Sequence, residues 1–521
     1  QVHLKESEFQ FNGSLLNQKT LFDHPSGLFV LFFTEMWERF SYYGMRAILV
    51  LFLTSALFND GWGWERKDAL VLYGWYTGLV YFTPLIGGFI ADKFLGYKLA
   101  TILGALTMSF GHGFLAMESF SNLFFFAGLT CLILGNGLFK PNINSIVGQL
   151  YKDKDIRKDS GYTIFYMGIN CGAFLGILLC GYLGEKIGWH IGFGLAGIFM
   201  FFGLMQFWFA QSIFGKIGRK PNSSSSNKYE LELSQKITRI EWDRIFVIII
   251  FSFATIFFWW AFEQAGGSMT IFAKDYTSRN LYGNHSLIFK LTNTLITIVP
   301  LIVMTYVLAK LFSITYKKIL TSNFFLGFSF VLIWIIILWM IKNEFNSEST
   351  EIPASWFSVL NSLFIIIFAP IFSKIWSSNI NTSGPVKFAI GLVLLGIGFG
   401  FLSYGSLSIP YGAKTAQVSI FWLIFAYLFH TLGELCISPV GLSYISKLAP
   451  LRLVGLMFGF WYLSSAFANY LGGITGSYID KISNISGLSG FFLIFTLLPI
   501  FVGFVIYLFR SSLIKKMHGY I

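Results

Sequence analysis

Glu35, Glu38, Arg39 and Arg46 bring two carboxylates and two guanidiniums into one short stretch, Thr34-Glu35-Met36-Trp37-Glu38-Arg39-Phe40-Ser41-Tyr42-Tyr43-Gly44-Met45-Arg46. It lies inside an apolar run, residues 28–57, long enough to cross a bilayer as a helix. An ionisable group near the bilayer centre costs about 2.5–3.5 kcal/mol on insertion scales. Such groups persist only if they pair with one another or face a wet cavity. At about 100° per residue, Glu35, Arg39 and Arg46 fall within about 40° of one another. Tyr42 and Tyr43 lie near the same side, and Glu38 lies about 60° to the other side of Glu35. This face predicts the lining of a solute pathway. A structural ion-pair cluster holding helices together is the other reading of the same pattern.

Elsewhere, charge inside apolar runs is sparse. Lys140 stands in Gly137-Leu138-Phe139-Lys140-Pro141-Asn142, where the proline predicts a kink and free carbonyls beside the lysine. Glu263 stands in Trp259-Trp260-Ala261-Phe262-Glu263-Gln264-Ala265-Gly266, and Glu434 in Gly433-Glu434-Leu435-Cys436-Ile437-Ser438-Pro439. Asn170, Asn361 and Ser465, the last one turn from Trp461, add neutral polar groups. His430 precedes Glu434 by one helical turn and could tune that carboxylate, or simply be packed. Together these groups could clamp a zwitterion, its ammonium toward Glu434 and its carboxylate toward Lys140 and an arginine. The same carboxylates can carry protons, because burial disfavours their charged form and a nearby cation restores it. Exchanging salt-bridge partners therefore changes proton affinity. Nothing resembles a phosphate-cradling glycine loop, a metal-ligand cluster or a nucleophile–base pair. No cofactor is expected, and ion movement is a simpler energy source than ATP.

The elements that must position these residues are membrane helices. The chain has 521 residues, 55% hydrophobic, 19% aromatic and only 12% charged, with mean hydropathy +0.66. Soluble domains average about 25% charged residues, so this is a polytopic membrane protein. Six spans come first, at about 28–57, 69–91, 97–118, 121–150, 160–184 and 190–210. A polar linker, 211–242, holds Pro221-Asn222 and a serine run, and is expected to be partly helical near Tyr229–Arg239. A seventh span follows at 243–273, then two apolar runs at 286–310 and 319–341, then 354–376, 385–403, 417–447, 453–478 and 487–510. These are fourteen candidate spans. The net charge of +12 does not point to nucleic acid. Basic residues gather in loops that alternate counting puts on one side, which predicts both termini in the cytoplasm. The four cysteines lie in apolar segments and read as small packing residues. Glycines such as Gly172, Gly176, Gly473 and the Gly87-Gly88 pair are expected to let helices approach closely. Residues 1–24 lack the apolar core of a cleavable signal peptide.

Glu35-x-x-Glu38-Arg39-Phe40 followed by Tyr42-Tyr43-Gly44 resembles the first-helix motif of the proton-dependent oligopeptide transporters, a branch of the major facilitator superfamily. Gly88-Phe89-Ile90-Ala91-Asp92-Lys93-Phe94-Leu95-Gly96-Tyr97-Lys98 is similar to that superfamily's loop between helices two and three. Phe165-Tyr166-Met167-Gly168-Ile169-Asn170-Cys171-Gly172 is similar to the family's fifth-helix signature, and the Glu263-Gln264, Gly433-Glu434-Leu435 and Ser438-Pro439 contexts also match. The resemblance implies an all-α major facilitator fold of two six-helix bundles plus an extra hairpin. The implied divisions are a cytoplasmic segment 1–27, a bundle 28–210, a linker 211–242, a seventh helix 243–273, a hairpin 274–353, five more helices within 354–511 and a tail 512–521.

The function it implies is a proton-driven symporter of di- and tripeptides, working as a monomer in the inner membrane of a bacterium. By the same resemblance Arg39, Arg46 and Lys140 receive the peptide carboxylate, and Asn170, Asn361 and Glu434 hold its amino end. Tyr42, Tyr43, Tyr81 and Trp461, with Ser465 beside it, line side-chain pockets. Glu35, Glu38 and Glu263 are proton-linked, with Arg39 and Lys140 as their partners. An Arg46–Glu263 pair closes the outer side and a Lys140–Glu434 pair the inner side. The hairpin departs from the bacterial pattern in lying between the seventh and eighth core helices, and reads as a lipid-facing brace. Another small solute, such as nitrate or an organic anion, is the alternative cargo. A membrane enzyme is the remote alternative.

Overall fold

The computed structural model describes residues 20–151, 157–219, 237–376, 382–450 and 453–519. The linker's Pro221-Asn222, its serine run and residues 229–236 of the expected partly helical stretch lie outside these. Among the described residues fourteen helices have eighteen residues or more. They are α1 Ser26–Thr54, α2 Arg66–Ile90, α3 Tyr97–Ala116, α4 Asn122–Gln149, α5 Lys158–Lys186, α6 Trp189–Phe209 and α7 Arg239–Phe262. Then follow α8 Gly283–Thr315, α9 Leu320–Asn346, α10 Val359–Trp376, α11 Gly384–Gly405, α12 Phe421–Leu448, α13 Val454–Gly476 and α14 Ile479–Leu508. Twelve of the helices are apolar and long enough to cross a membrane. The other two are α13 and α1, which carries the ionisable cluster.

Helix ends follow local chemistry. The Thr238 hydroxyl accepts from Glu241 N at 3.2 Å while the Glu241 carboxylate takes Thr238 N at 2.8 Å, a reciprocal cap that starts α7. Ser121 starts α4 with a one-way cap, its hydroxyl accepting from Leu123 N. Gly487, at φ 76°, breaks α14 into a short first segment and a long second one.

The described residues divide into two compact units. One draws on 1–48, 83–221 and 279–356, the other on 49–82, 222–278 and 357–521, so the boundary falls inside α1 and α2. In the first unit α5 crosses α1 at backbone contact. A Cβ on Gly172 would run into the Met36 carbonyl, and one on Gly176 into that of Phe40. The expected hairpin is α8 and α9, and it groups with this first unit. Ser322 donates to the Gln206 carbonyl at 2.6 Å, and the Phe330 ring packs edge-on against Phe33 and Trp37, 5.5 and 5.6 Å away. Its ends are clasped by an antiparallel pair, Asn280 opposite Glu351 and Leu281 opposite Thr350. Its outer face, with Leu295, Ile302, Val331 and Ile335, is exposed and apolar.

The second unit closes around α7. Trp260 Nε1 donates to Thr475 Oγ1 at 2.9 Å, and Phe251 stacks on Phe388 at 4.3 Å. A Cβ on Gly473 would collide with Gly74, so α2 and α13 touch through bare backbone. Arg66 ties the start of α2 to Asp275 at 2.7 Å and Asp480 at 2.9 Å. All four cysteines are free thiols.

Candidate functional site

In the first unit, α1 and α4 build one buried charge cluster. Glu35 and Glu38 are wholly buried, and Arg39 and Arg46 nearly so. Arg39 grips Glu38 with two parallel donors, Nε to Oε2 and Nη2 to Oε1, the latter at 2.7 Å. Such forked, charge-assisted bonds are the strong kind. Nη2 also donates to Asn136 Oδ1 at 3.1 Å. Lys140 Nζ donates to Glu35 Oε1, which lies 3.4 Å from Arg39 Nε. One oxygen of Glu35 is thus shared by two cations, while Oε2 is buried without a hydrogen-bond donor. The guanidinium of Arg39 lies over the Tyr42 ring at 4.9 Å, and those of Arg39 and Arg46 lie 5.9 and 5.7 Å from the Tyr43 ring.

α4 runs on through Pro141, one residue past Lys140. The carbonyl that this proline leaves without an amide is that of Gly137, four residues back. It faces Gly87 so closely that a Cβ there would strike it. The freed carbonyl therefore serves a helix contact, and the lysine's own partner is Glu35. Asn170, on α5, is buried and donates to the Tyr166 carbonyl at 3.1 Å.

In the second unit, Asn361 of α10 donates to Glu434 Oε2 of α12 at 2.9 Å and to Thr431 Oγ1 at 3.1 Å. Glu263 sits where α7 ends and a 3-10 turn, Glu263–Gly266, begins. The break is braced by Gln264, which donates to the Gly472 carbonyl at 2.8 Å and accepts from Ser268. The Tyr73 hydroxyl lies 3.5 Å from Glu263 Oε2. Trp461 and Ser465 are buried on α13, and Tyr81 is half-buried on α2. His430 is a packed residue, its ring 4.3 Å from that of Phe399.

The sequence-predicted residues thus fall into two sets, Glu35, Glu38, Arg39 and Lys140 with Tyr42, Tyr43, Arg46 and Asn170 in one unit, and Asn361 bonded to Glu434, with Tyr81, Glu263, Trp461 and Ser465, in the other. Each expected gate pair, Arg46–Glu263 and Lys140–Glu434, takes one residue from each unit. Asn136, Tyr73 and Thr431 escaped the sequence reading, and Gln264 was given no role in it. Asn136 was findable, one turn before Lys140 on the same face of an apolar helix. Thr431 likewise precedes Glu434 by three residues. Gln264 stood in the Glu263-Gln264 context without a role of its own, and Tyr73 gave no signal beyond its type.

Buried ion pairs on membrane helices, in a major facilitator fold, define a solute transporter. Residues 98–492 match the POT family (PTR2). The chain is 35% identical over 517 residues to the protein named uncharacterized transporter YclF of Bacillus subtilis (strain 168), covering 96% of this chain and 97% of that one. It is 31% identical to the di-/tripeptide transporter of Lactococcus lactis subsp. cremoris, over 96% of this chain and 98% of that one. The crystal structure of a POT family transporter in complex with a thioalcohol conjugated peptide aligns with TM-score 0.76 at 27% identity, over 96% of this chain and 99% of that one. This chain belongs to the POT family of transporters.

Proposed function

We propose that this protein is a proton-coupled symporter that imports di- and tripeptides by alternating access of two bundles around a central site. The observation that carries the reading is Glu35 Oε1 shared between Lys140 and Arg39. A peptide carboxylate arriving at Lys140, Arg39 or Arg46 competes with Glu35 and Glu38 for the same cations. A buried carboxylate left without its cation carries a penalty of several kcal/mol, on the order of what protonation removes. Peptide and proton therefore enter together because they share cations.

The amino end of the peptide goes to Glu434, Asn361 and Asn170. The bond between Asn361 and Glu434 supports this, since it holds a carboxylate oriented without neutralising it. Tyr42, Tyr43, Tyr81, Trp461 and Ser465 bound the side-chain pockets. Glu263, at a helix break, pairs with Arg46 to close the outer side. Lys140 leaves Glu35 for Glu434 to close the inner side. The setting is a bacterial inner membrane with both termini cytoplasmic, lipid around a monomer, and the proton gradient as the energy source.

The test is uptake of a labelled dipeptide into proteoliposomes with and without an inward proton gradient. Gradient-stimulated uptake that unlabelled di- and tripeptides compete away is expected. Uptake indifferent to the gradient, or competition by nitrate or organic anions but not by peptides, refutes it.

A further inference from the structure

The side of α1 turned away from Glu35 is held by buried hydrogen bonds that take no part in the charge cluster. At about 100° per residue, Val30, Phe33 and Trp37 lie about 140–160° from Glu35, and Thr34 about 100° from it. Gln206 of α6 reaches this side, and it is wholly buried, as are Val30 and Thr34. Its Nε2 donates to the Val30 carbonyl at 3.0 Å, and its Oε1 accepts from Thr34 Oγ1 at 2.8 Å. The reversed amide would set Oε1 against the Val30 carbonyl, two acceptors face to face, so the partners fix its orientation. One side-chain amide thus brackets one turn of α1, and that turn ends at the residue before Glu35.

Gln206 is held in turn by the hairpin. It stands fourth from the end of α6, and the last four carbonyls of a helix have no donor within it. Ser322, buried near the start of α9, supplies one, donating to the Gln206 carbonyl at 2.6 Å. Hydrogen bonds therefore run from α9 through Gln206 to Thr34, and the next residue, Glu35, accepts from Lys140. Around them Trp37 packs on Phe199 at 4.6 Å and on Phe330 at 5.6 Å. Apolar packing tolerates small rotations of a helix about its axis, whereas hydrogen bonds are directional and costly to leave unmade when buried. Side-chain ends ride about 5–6 Å from a helix axis, so a turn of about 20° carries the Glu35 carboxylate about 2 Å, enough to part it from Lys140.

We infer that Gln206, with Thr34 and Ser322, is a positioning residue for the charge cluster. It fixes the rotation of α1 that sets Glu35 against Lys140, and the hairpin, through Ser322, holds Gln206 in place. Gln206 and Ser322 act through α1, since neither bonds to a charged group among the described residues. The consequence for coupling rests on the proposed symport, whereas the positioning rests on the geometry of α1, α6 and α9.

A double-mutant melting cycle on the full chain in detergent tests the positioning. In a Gln206→Met background the Thr34 hydroxyl falls back on the Val30 carbonyl, 2.8 Å away, so no buried donor is stranded. There the Tm shift caused by Lys140→Met is expected to shrink by about half or more. Thr34→Val and Ser322→Ala shrink it in the same way, and Thr34→Ser, which keeps the hydroxyl, retains the full shift. Phe330→Ala removes packing on the same side but none of these hydrogen bonds, and keeps the full shift despite its own lower Tm. A full Lys140→Met shift in the Gln206→Met background, or an equal reduction in the Phe330→Ala background, overturns the proposal. In proteoliposomes the ratio of gradient-driven dipeptide uptake to peptide exchange is expected to fall roughly three-fold or more in Gln206→Met. Thr34→Ser and Phe330→Ala keep that ratio, and a wild-type ratio in Gln206→Met also overturns the proposal. Absence of driven uptake in the wild type sinks the symport instead and leaves the melting cycle to decide. Should Gln206→Met fail to elute as a single species in size-exclusion chromatography, Ser322→Ala and the Thr34 pair, which are smaller changes, settle the question.

Discussion

Replacing Lys140 by methionine removes a charge while nearly conserving volume, and the structure sets the size of the effect. Glu35 Oε1 accepts from Lys140 Nζ, and its other cationic neighbour, Arg39 Nε, is 3.4 Å away. Arg39 is already committed to Glu38 and Asn136. At an effective dielectric of about 20, a pair at 3.4 Å attracts by about 5 kcal/mol. Arg39 thus offsets part of the loss, though not all of it. Removing one partner of a buried pair costs roughly 3–5 kcal/mol, and the remaining guanidinium puts Lys140→Met at the lower end, about 3 kcal/mol. With an unfolding entropy of about 2.1 cal/mol/K per residue, the 521-residue chain should lose about 3 °C in apparent Tm. Glu35→Gln should lose a similar or smaller amount, because it leaves the partly buried Lys140 against a neutral acceptor. The double variant removes both charges and should melt within about 1 °C of the wild type, since a buried pair replaced as a unit is close to neutral. The assay is thermal unfolding in detergent followed by tryptophan fluorescence. A double variant whose shift equals the sum of the single shifts refutes the pairing. A silent Lys140→Met refutes the energetic argument.

Glu38→Gln should abolish gradient-driven dipeptide uptake while preserving peptide exchange across proteoliposomes; intact driven uptake removes Glu38 from proton coupling. Asn361→Ala deletes a bond to a carboxylate worth about 1.5–3 kcal/mol, and should raise KM for free dipeptides by roughly 10-fold or more. N-acetylated dipeptides should discriminate less between this variant and the wild type, and an equal change for both rules Asn361 out of amino-end recognition. Phe330→Ala empties a buried ring site against Phe33 and Trp37, and should cost roughly 3–5 kcal/mol of stability. Its KM should stay unchanged. An unaltered melting profile means the hairpin is not docked on α1.

Much of this protein was determined by the order of its residues alone. Runs of about 20 apolar residues specify helices that cross a bilayer, because no other element satisfies its backbone there, and this made the helices from α1 to α14 legible. Glu35, Glu38, Arg39 and Lys140 were legible as a cluster of charges needing partners, because placing them in a membrane helix is so costly that local sequence betrays it. Partner choice was not legible. Lys140 could serve Glu35 or Glu434 on charge alone, and only the packing that brings α4 beside α1 gives it Glu35 in this structure. The hairpin's allegiance was likewise hidden. Its position in the chain joins it to the later helices, whereas Phe330 and Ser322 dock it against α1 and α6. The break at Glu263 and the bracket of Gln206 on α1 also needed three dimensions. Periodicity reports which face of a helix is buried. What lies opposite that face depends on packing between segments far apart in the chain, and no local pattern encodes it.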